Sequence, residues 1–121
     1  MITEDYVSFE TAKLLKEKGF SEECLGTYST DDKELSISSE CPYSNDLNDD
    51  MFIAAPTIQM AMKWLREVHK YLIVVGNKNG NYLYLIKDLK ANTDLGFSND
   101  EYIHYEEACE AAIKYCLENL I

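Results

Sequence analysis

The fold is decided by residues 56–89, PTIQMAMKWLREVHKYLIVVGNKNGNYLYLIKDL. Proline fits the first turn of a helix, where its missing N–H is not needed, and the apolar residues that follow at helical spacing predict a helix over 57–69. The β-branched run at 71–75 predicts a strand, and the sequence GNKNG at 76–80 predicts a turn. The second strand of this hairpin, 81–89, is apolar on both faces, which is typical of a strand that is central or covered on both sides.

A helix is predicted on either side of this centre. Residues 7–20 predict a helix with Ser8 as the N-cap and Gly19 as the left-handed residue beyond its end. From Tyr105 to about Leu120, apolar and small residues repeat at i, i+3, i+4 and i+7, which predicts the last helix. His104, the residue before it, is a poor cap.

The remaining segments predict short strands and polar loops. Residues 25–30 and 34–39 fit two strands around a polar turn, and 51–54 fit a third. Residues 41–50 and 91–102 are polar loops, the first of them mobile. The predicted order is α-β-β-(β)-α-β-β-α. It indicates the α+β class, with an antiparallel sheet packed with three helices in a single domain over 1–121.

Charge is distributed unevenly along the chain, whose net charge is −11. Residues 22–50 hold nine acidic residues and one basic residue, 51–93 hold two and six, and 94–121 hold seven and one. A chain this acidic is not expected to bind duplex DNA directly, because such binding depends on neutralising phosphates. Two interpretations stay open: a solvated acidic surface with one basic helix face, or acidic segments that mimic nucleic acid beside a basic centre that holds an anion.

Cysteine and histidine usage predicts neither a metal nor a cofactor. None of the four cysteines forms a Cys-x-x-Cys pair, and neither histidine has a second ligand at helical spacing. The acidic start MITED lacks the features of a signal peptide, and no apolar run approaches the ~20 residues of a membrane span. We therefore expect a cytoplasmic protein with reduced cysteines and no membrane contact: Cys24 and Cys41 flank the first predicted hairpin, and Cys109 and Cys116 are buried in the last helix.

Two segments carry a resemblance to a known family. The helix opening at 55–67, APTIQMAMKWLRE, precedes the hairpin, and the segment 105–113, YEEACEAAI, follows it. Together they resemble the phage ABA sandwich domain of small phage- and prophage-encoded proteins, over about residues 55–120. The resemblance implies an accessory protein of a mobile element, such as an inhibitor of host defence, and it implies no catalytic residues.

The motifs of the common enzyme classes are missing from the sequence. It has no nucleophile elbow, Walker loop, dinucleotide fingerprint or His-Glu-x-x-His helix. We therefore predict a non-enzymatic protein that acts by binding.

Tyrosines beside acidic loops predict a surface for a protein partner. Tyrosine is enriched at interfaces, and this chain has 9. An acidic, tyrosine-bearing surface would dock on a basic partner, for example a nucleic-acid-binding host protein. The alternative is that these are ordinary tyrosines at the edge of the core. The predicted surface residues are Tyr28, Tyr43, Tyr102 and Tyr105.

The basic face of the second helix predicts an alternative function as a sponge for a phosphate-bearing small molecule such as a nucleotide. Basic side chains would hold the phosphate, and hairpin tyrosines would stack on the base. The competing interpretation is that neighbouring acids neutralise this face and that the tyrosines are core. The predicted anion-site residues are Lys63, Arg66, Lys70, Tyr82 and Tyr84. Self-association through an uncovered sheet edge, giving a homo-oligomer, is a further prediction.

Overall fold

A computed structural model describes residues 2–47 and 49–121. These residues form two compact units, the first ending at Gln59 and the second beginning at Met60. The sequence predicts a single domain over 1–121, and this stays a prediction. Met1, part of the predicted acidic start, and Asn48, part of the first predicted polar loop, lie outside the described residues.

The α+β class is confirmed, and the elements follow the predicted order. They are α1 (Phe9–Glu17), β1 (Gly26–Ser29), β2 (Leu35–Ile37), a 3-10 turn (Asn45–Leu47), β3 (Phe52–Ala55), α2 (Ile58–Val68), β4 (Tyr71–Lys78), β5 (Asn81–Asp88), β6 (Thr93–Phe97), α3 (Tyr105–Tyr115) and a π-helical turn (Cys116–Leu120). The strands form two antiparallel sheets rather than one, ordered β2-β1-β3 and β4-β5-β6.

The strand β6 lies where the sequence predicts a polar loop. Its residues include an aspartate and a glycine, which are depleted in strands. Pairing with β5 accommodates them through a register shift between Ile86 and Lys87. The Asp94 carboxylate also lies 3.9 Å from the Lys87 ammonium group. We therefore attribute the strand conformation of β6 to its pairing with β5 and not to the intrinsic strand propensity of its residues.

The first helix has the predicted ends. The Ser8 hydroxyl oxygen accepts a hydrogen bond from the Thr11 N–H at 3.3 Å. Gly19 has a φ of +93°, and the Phe20 N–H then donates to the Leu15 carbonyl at 2.9 Å. Both apolar side chains are buried, so the helix ends as a Schellman motif.

The first sheet is packed closely enough to require a glycine. A Cβ built on Gly26 would lie 2.7 Å from the carbonyl oxygen of Ala55 and 2.9 Å from the ring of Tyr6. The sheet contains strands of only three and four residues. Its neighbour along the chain is α1, which packs on β3.

The described part of the polar loop 41–50 is anchored, contrary to the prediction that the loop is mobile. The backbones of Cys24 and Tyr43 exchange two hydrogen bonds of 2.8 Å. The Asn45 amide donates to the Phe20 carbonyl at 2.9 Å and accepts from the Ala54 N–H at 3.0 Å. One amide side chain thus satisfies two backbone groups, and these bonds hold the described part of the loop against the rest of the first unit.

The second sheet is built on the predicted hairpin. β4 and β5 pair without interruption from Tyr71 opposite Asp88 to Lys78 opposite Asn81. Asn79 and Gly80, with φ of +53° and +90°, form the two-residue turn that favours this twist. β5 is the central strand, as its two apolar faces predict. Helix α3 packs on β4 and β5.

Candidate functional site

Six tyrosines of the second unit lie on the face of the second sheet that α3 covers. One of them, Tyr71 on β4, donates from its hydroxyl to the Leu120 carbonyl at 3.1 Å, and the other five form a separate group. Side chains on a strand alternate between faces, so the tyrosines at 82 and 84 on β5 share a face with buried Ile86. The others come from the segment after β6 and from the two ends of α3. We call this group the tyrosine cluster: Tyr82, Tyr84, Tyr102, Tyr105 and Tyr115.

The backbone after β6 positions the cluster. The Ser98 N–H donates to the Tyr84 carbonyl at 3.0 Å, and the Ser98 hydroxyl accepts from the Tyr84 N–H at 3.1 Å. Further along, Tyr82 and Tyr102 exchange backbone hydrogen bonds of 2.7 and 2.9 Å. These bonds hold the segment 98–102 against β5 beyond the end of β6. They bring a tyrosine twenty residues away onto the same face.

The rings contact one another in two pairs. The Tyr82 and Tyr105 rings meet edge to face, with centroids 5.9 Å apart and an interplanar angle of 82°. The Tyr84 and Tyr102 rings are nearly parallel at 6.5 Å and 28°. The Tyr115 ring lies over β6, because a Cβ built on Gly96 would be 3.1 Å from its Cε1. All five side chains are half-buried, so the cluster leaves aromatic surface open to solvent.

Carboxylates border the cluster. The pKa of Tyr84 is raised by burial first, then by Tyr102, Tyr115, Cys116 and Asp100. Burial, followed by Asp100 and Glu107, also raises the pKa of Tyr102. Both hydroxyls therefore stay protonated near neutral pH and can donate hydrogen bonds. We define the acidic border as Asp100 and Glu107, the exposed carboxylates that act on these hydroxyls.

The structure separates the four tyrosines of the predicted partner surface. Tyr102 and Tyr105 belong to the tyrosine cluster. Tyr28 does not line a surface: it is 9% exposed, and its hydroxyl donates to the Val7 carbonyl at 2.6 Å. The sequence placed Tyr28 beside an acidic loop, but its strand turns the ring inward against Phe9.

Tyr43 lies in the first unit. Its hydroxyl donates to the Phe52 carbonyl at 3.1 Å, and its half-buried ring meets the Phe52 ring edge to face. The pKa of Tyr43 is raised by burial and then by Asp49. The geometry thus assigns Tyr43 a local contact within the first unit.

The residues of the predicted anion site are distributed over three environments. Lys63 is exposed on α2, and the Arg66 Nε lies 3.8 Å from the Glu67 carboxylate. Lys70 does not continue their helical row, because α2 ends at Val68 and Lys70 has a φ of +64°. Its ammonium donates to the Glu67 carbonyl at 2.9 Å. Tyr82 and Tyr84 pack in the cluster, beside carboxylates.

Sequence reasoning missed Tyr115 and the two carboxylates that act on the cluster. The two-residue spacing of Tyr82 and Tyr84 already places them on one face, and this was the signal available. Tyr115 falls on the last helix outside its most apolar stripe, and only the packing of α3 on the sheet relates it to Gly96. Asp100 and Glu107 gain their role from the pairing of segment 98–102 with β5.

The cysteines are free thiols. Burial raises the pKa of Cys116 to about 12. Burial, followed by Glu22, raises the pKa of Cys24 to about 11. Cys109 and Cys116 are buried, as predicted, whereas Cys41 is exposed. A buried thiol with a raised pKa is a poor nucleophile and a poor metal ligand.

Across residues 2–47 and 49–121, no three His, Cys, Asp or Glu side chains converge in a way that could hold a metal ion. Within the same ranges, none of the helices is long and apolar enough to cross a membrane. Comparison of the chain with models of protein families, with curated proteins and with solved structures gives no match. The resemblance to the phage ABA sandwich domain therefore stays a prediction.

Proposed function

We propose that this chain is a non-enzymatic binding protein whose second unit docks on a basic segment of a protein partner. One observation carries the proposal: half-exposed tyrosine rings lie in contact, and Asp100 and Glu107 act electrostatically on the hydroxyl of Tyr102. Tyrosine contributes a large contact area with few rotatable bonds, which is why it is frequent in binding surfaces.

The chemistry of this surface fits arginine and lysine side chains. A cation over an aromatic ring gains about 0.5–2 kcal/mol, depending on its desolvation, and a guanidinium can also bond to a carboxylate in two places. The protonated tyrosine hydroxyls can donate to backbone carbonyls of the partner. Residues 94–121 hold seven acidic residues and one basic residue, so the approach of a basic partner is favoured at long range.

The raised pKa values of one half-buried tyrosine and two buried cysteines support binding without catalysis. Raised pKa values keep the Tyr84 hydroxyl and the Cys109 and Cys116 thiols protonated. A general base or nucleophile operates best when its pKa lies near the working pH. These groups serve better as hydrogen-bond donors and core side chains than as reactants.

The alternative function, a nucleotide sponge, receives less support from this geometry. The carboxylates of the acidic border would repel a phosphate placed beside Tyr82 and Tyr84. We therefore expect no thermal shift with mono-, di- or cyclic nucleotides. A shift that disappears in the Lys63→Glu, Arg66→Glu double variant would favour the sponge instead.

The biological setting is part of the proposal. An accessory role for a mobile element in the host cytoplasm, such as blocking a nucleic-acid-binding defence protein, rests on the family resemblance and on the acidity of the chain. Gene neighbourhood tests it. Adjacent defence-inhibitor genes would support this role, whereas adjacent virion genes would favour a structural one.

A peptide titration tests the binding surface directly. The probe is a fluorescent oligo-arginine peptide, and anisotropy is measured at about 0.05 M and about 0.3 M NaCl, where exposed charges are screened to different extents. We expect weaker binding at the higher salt. The Asp100→Asn, Glu107→Gln double variant should weaken binding about tenfold, which corresponds to about 1.4 kcal/mol.

The matched control removes the same two charges elsewhere. Glu4 and Glu23 are exposed residues of the first unit, and the Glu4→Gln, Glu23→Gln double variant should change the affinity by less than about twofold if charge is well screened. Equal weakening in both double variants would mean that only the net charge matters. That result, or the absence of binding at either salt concentration, contradicts the proposed surface.

A further inference from the structure

The strand β4 forms an edge of the second sheet, because the strand order is β4-β5-β6. It is eight residues long and pairs with β5 along its whole length. In the part of the chain that the structure describes, no strand pairs with its outer side. Val74 on this strand is 41% exposed.

The register shows which backbone groups point outward. In an antiparallel ladder, hydrogen-bonded and non-hydrogen-bonded pairs alternate. The Leu89 N–H donates to the Lys70 carbonyl at 2.9 Å, and this pair continues the β4–β5 register. The even-numbered residues of β4 therefore bond to β5. The odd-numbered residues present free N–H and C=O groups to the outer side: Tyr71, Ile73, Val75 and Asn77.

The hydrogen bonds of β5 give the same assignment independently. Tyr82 and Tyr84 use their N–H and C=O groups on the side away from β4, toward Tyr102 and Ser98. Because neighbouring residues of a strand point these groups to opposite sides, the odd-numbered residues of β5 face β4. Their register partners on β4 are even-numbered, for example Leu85 opposite Val74.

The other sheet edges are protected, and β4 is not. Natural proteins protect edges by short strands, bulges, proline or charged residues. The edges of the first sheet, β2 and β3, have three and four residues. The edge β6 has five residues and a register shift. β4 has no proline, an unbroken register and a single charged residue, Lys78, at its end.

We infer that β4 pairs edge to edge with β4 of a second copy of this chain, joining two three-stranded sheets into one of six strands. A two-fold axis perpendicular to the sheet makes the two strands antiparallel and keeps each face continuous. Odd-numbered residues then meet odd-numbered ones, with Ile73 of one copy opposite Val75 of the other and the two Val74 side chains adjacent.

At this edge a second copy can pair without like charges meeting across the two strands. The chain has a net charge of −11, so two copies repel over most of their surface. β4 carries no carboxylate, so no acidic side chain on one β4 strand faces the other β4 strand. Added salt should therefore strengthen the association by screening the distant repulsion. The docking of a basic peptide responds to salt in the opposite direction.

Analytical ultracentrifugation of the full chain tests the dimer. The expected mass rises with concentration from 13.9 kDa toward twice that value, at lower concentrations when salt is added. Val74→Lys introduces adjacent like charges and should weaken the dimer about tenfold or more. The matched control is Val68→Lys, because Val68 is 54% exposed on α2 and its variant should associate as the wild type does.

A second variant and a residue-level measurement distinguish this edge from other surfaces. Val75→Pro removes an outward N–H, and circular dichroism should show a folded chain that no longer dimerises. Amide hydrogen exchange should slow with protein concentration at Ile73, Val75 and Asn77. A monomer at every concentration overturns the inference. A dimer that survives both β4 variants, or one in which these amides still exchange freely, also overturns it. If these amides exchange more slowly only when an unrelated extended peptide is added, the partner of β4 is a peptide and the inferred dimer is wrong.

Discussion

The two three-stranded sheets are stabilised in different ways. The first consists of strands of three and four residues, and side chains reinforce it: the Tyr28 hydroxyl bonds to Val7, and the Asn45 amide bonds to Phe20 and Ala54. The second contains two strands of eight residues joined by a tight hairpin and covered on one face by α3.

This difference shows how strand length affects the surface that remains available. Short strands supply few backbone hydrogen bonds. In the first unit, tyrosine and asparagine side chains therefore donate and accept hydrogen bonds that hold its loops and core together. The long hairpin of the second unit is held by backbone pairing over eight residues of each strand, and the Asn77 side chain accepts a hydrogen bond from the Gly80 N–H in its turn. Its tyrosines stay half-exposed and its edge strand stays unpaired, and both features are proposed here as binding surfaces.

The largest expected loss of stability comes from placing a charge in the apolar core of the second unit. Leu117 is fully buried, so Leu117→Asp places a carboxylate where it has no partner and should cost several kcal/mol, enough to unfold a small domain. Ile103→Asp is the control, because Ile103 is 73% exposed. Thermal denaturation followed by circular dichroism measures both. A Leu117→Asp variant that melts with the wild type would contradict the assigned core.

The first unit should respond to the loss of one polar side chain. Asn45→Ala removes the hydrogen bonds to the Phe20 carbonyl and the Ala54 N–H, which should cost about 2 kcal/mol. Asp46→Ala, one residue away and exposed, should cost about 0.5 kcal/mol or less. Urea denaturation gives both values. Equal stabilities of the two variants would show that the loop is not anchored by this amide.

A smaller loss of stability distinguishes the buried Tyr28 of the first unit from the half-buried Tyr43. Tyr28→Phe removes a buried hydrogen bond to the Val7 carbonyl and should cost about 1 kcal/mol. Tyr43→Phe removes an exposed bond to the Phe52 carbonyl, where water can substitute, and should cost less. Urea denaturation of the two variants compares them. A larger loss in Tyr43→Phe would mean that the burial of Tyr28 contributes little.

The smallest effect is a pH dependence in the second unit. The pKa of His69 is lowered from 6.5 by burial first and then by Lys90, and among the described residues its Nε2 is buried without a hydrogen-bond partner. As the pH falls below about 6.5, the unfolded chain takes up this proton before the folded one does. Stability should therefore decrease as the pH falls toward the folded-state pKa.

His69→Phe keeps a ring beside Trp64 and Tyr71, which contact His69 in the wild type, and removes the titration. Melting temperatures between about pH 7.5 and about pH 5.5 should fall less steeply in this variant than in the wild type. Parallel curves would show that His69 titrates as it does in the unfolded chain.

The sequence predicted the helices and the central hairpin because their signals are local. Ser8 and Gly19 mark the ends of α1, and the apolar repeats identify α2 and α3. The turn predicted over 76–80 contains the observed two-residue turn at Asn79 and Gly80, whereas its first three residues belong to β4. The sequence did not predict β6, whose aspartate and glycine disfavour a strand until β5 pairs with it. It also placed Tyr28 on the surface, because a strand of four residues does not reveal which face points inward.

For the candidate site, the sequence supplied the residue types and their charge, and the tertiary structure decided which of them meet. Tyr102 and Tyr105 were identified as surface residues, and Tyr82 and Tyr84 as residues of a different site. The pairing of segment 98–102 with β5 joined them in one cluster. Capping, turn formation and helical periodicity depend on residues a few positions apart and can be inferred from the chain itself. The contacts between Tyr82 and Tyr105, or between Asn45 and Phe20, span more than twenty residues and exist only once strands have paired and helices have packed.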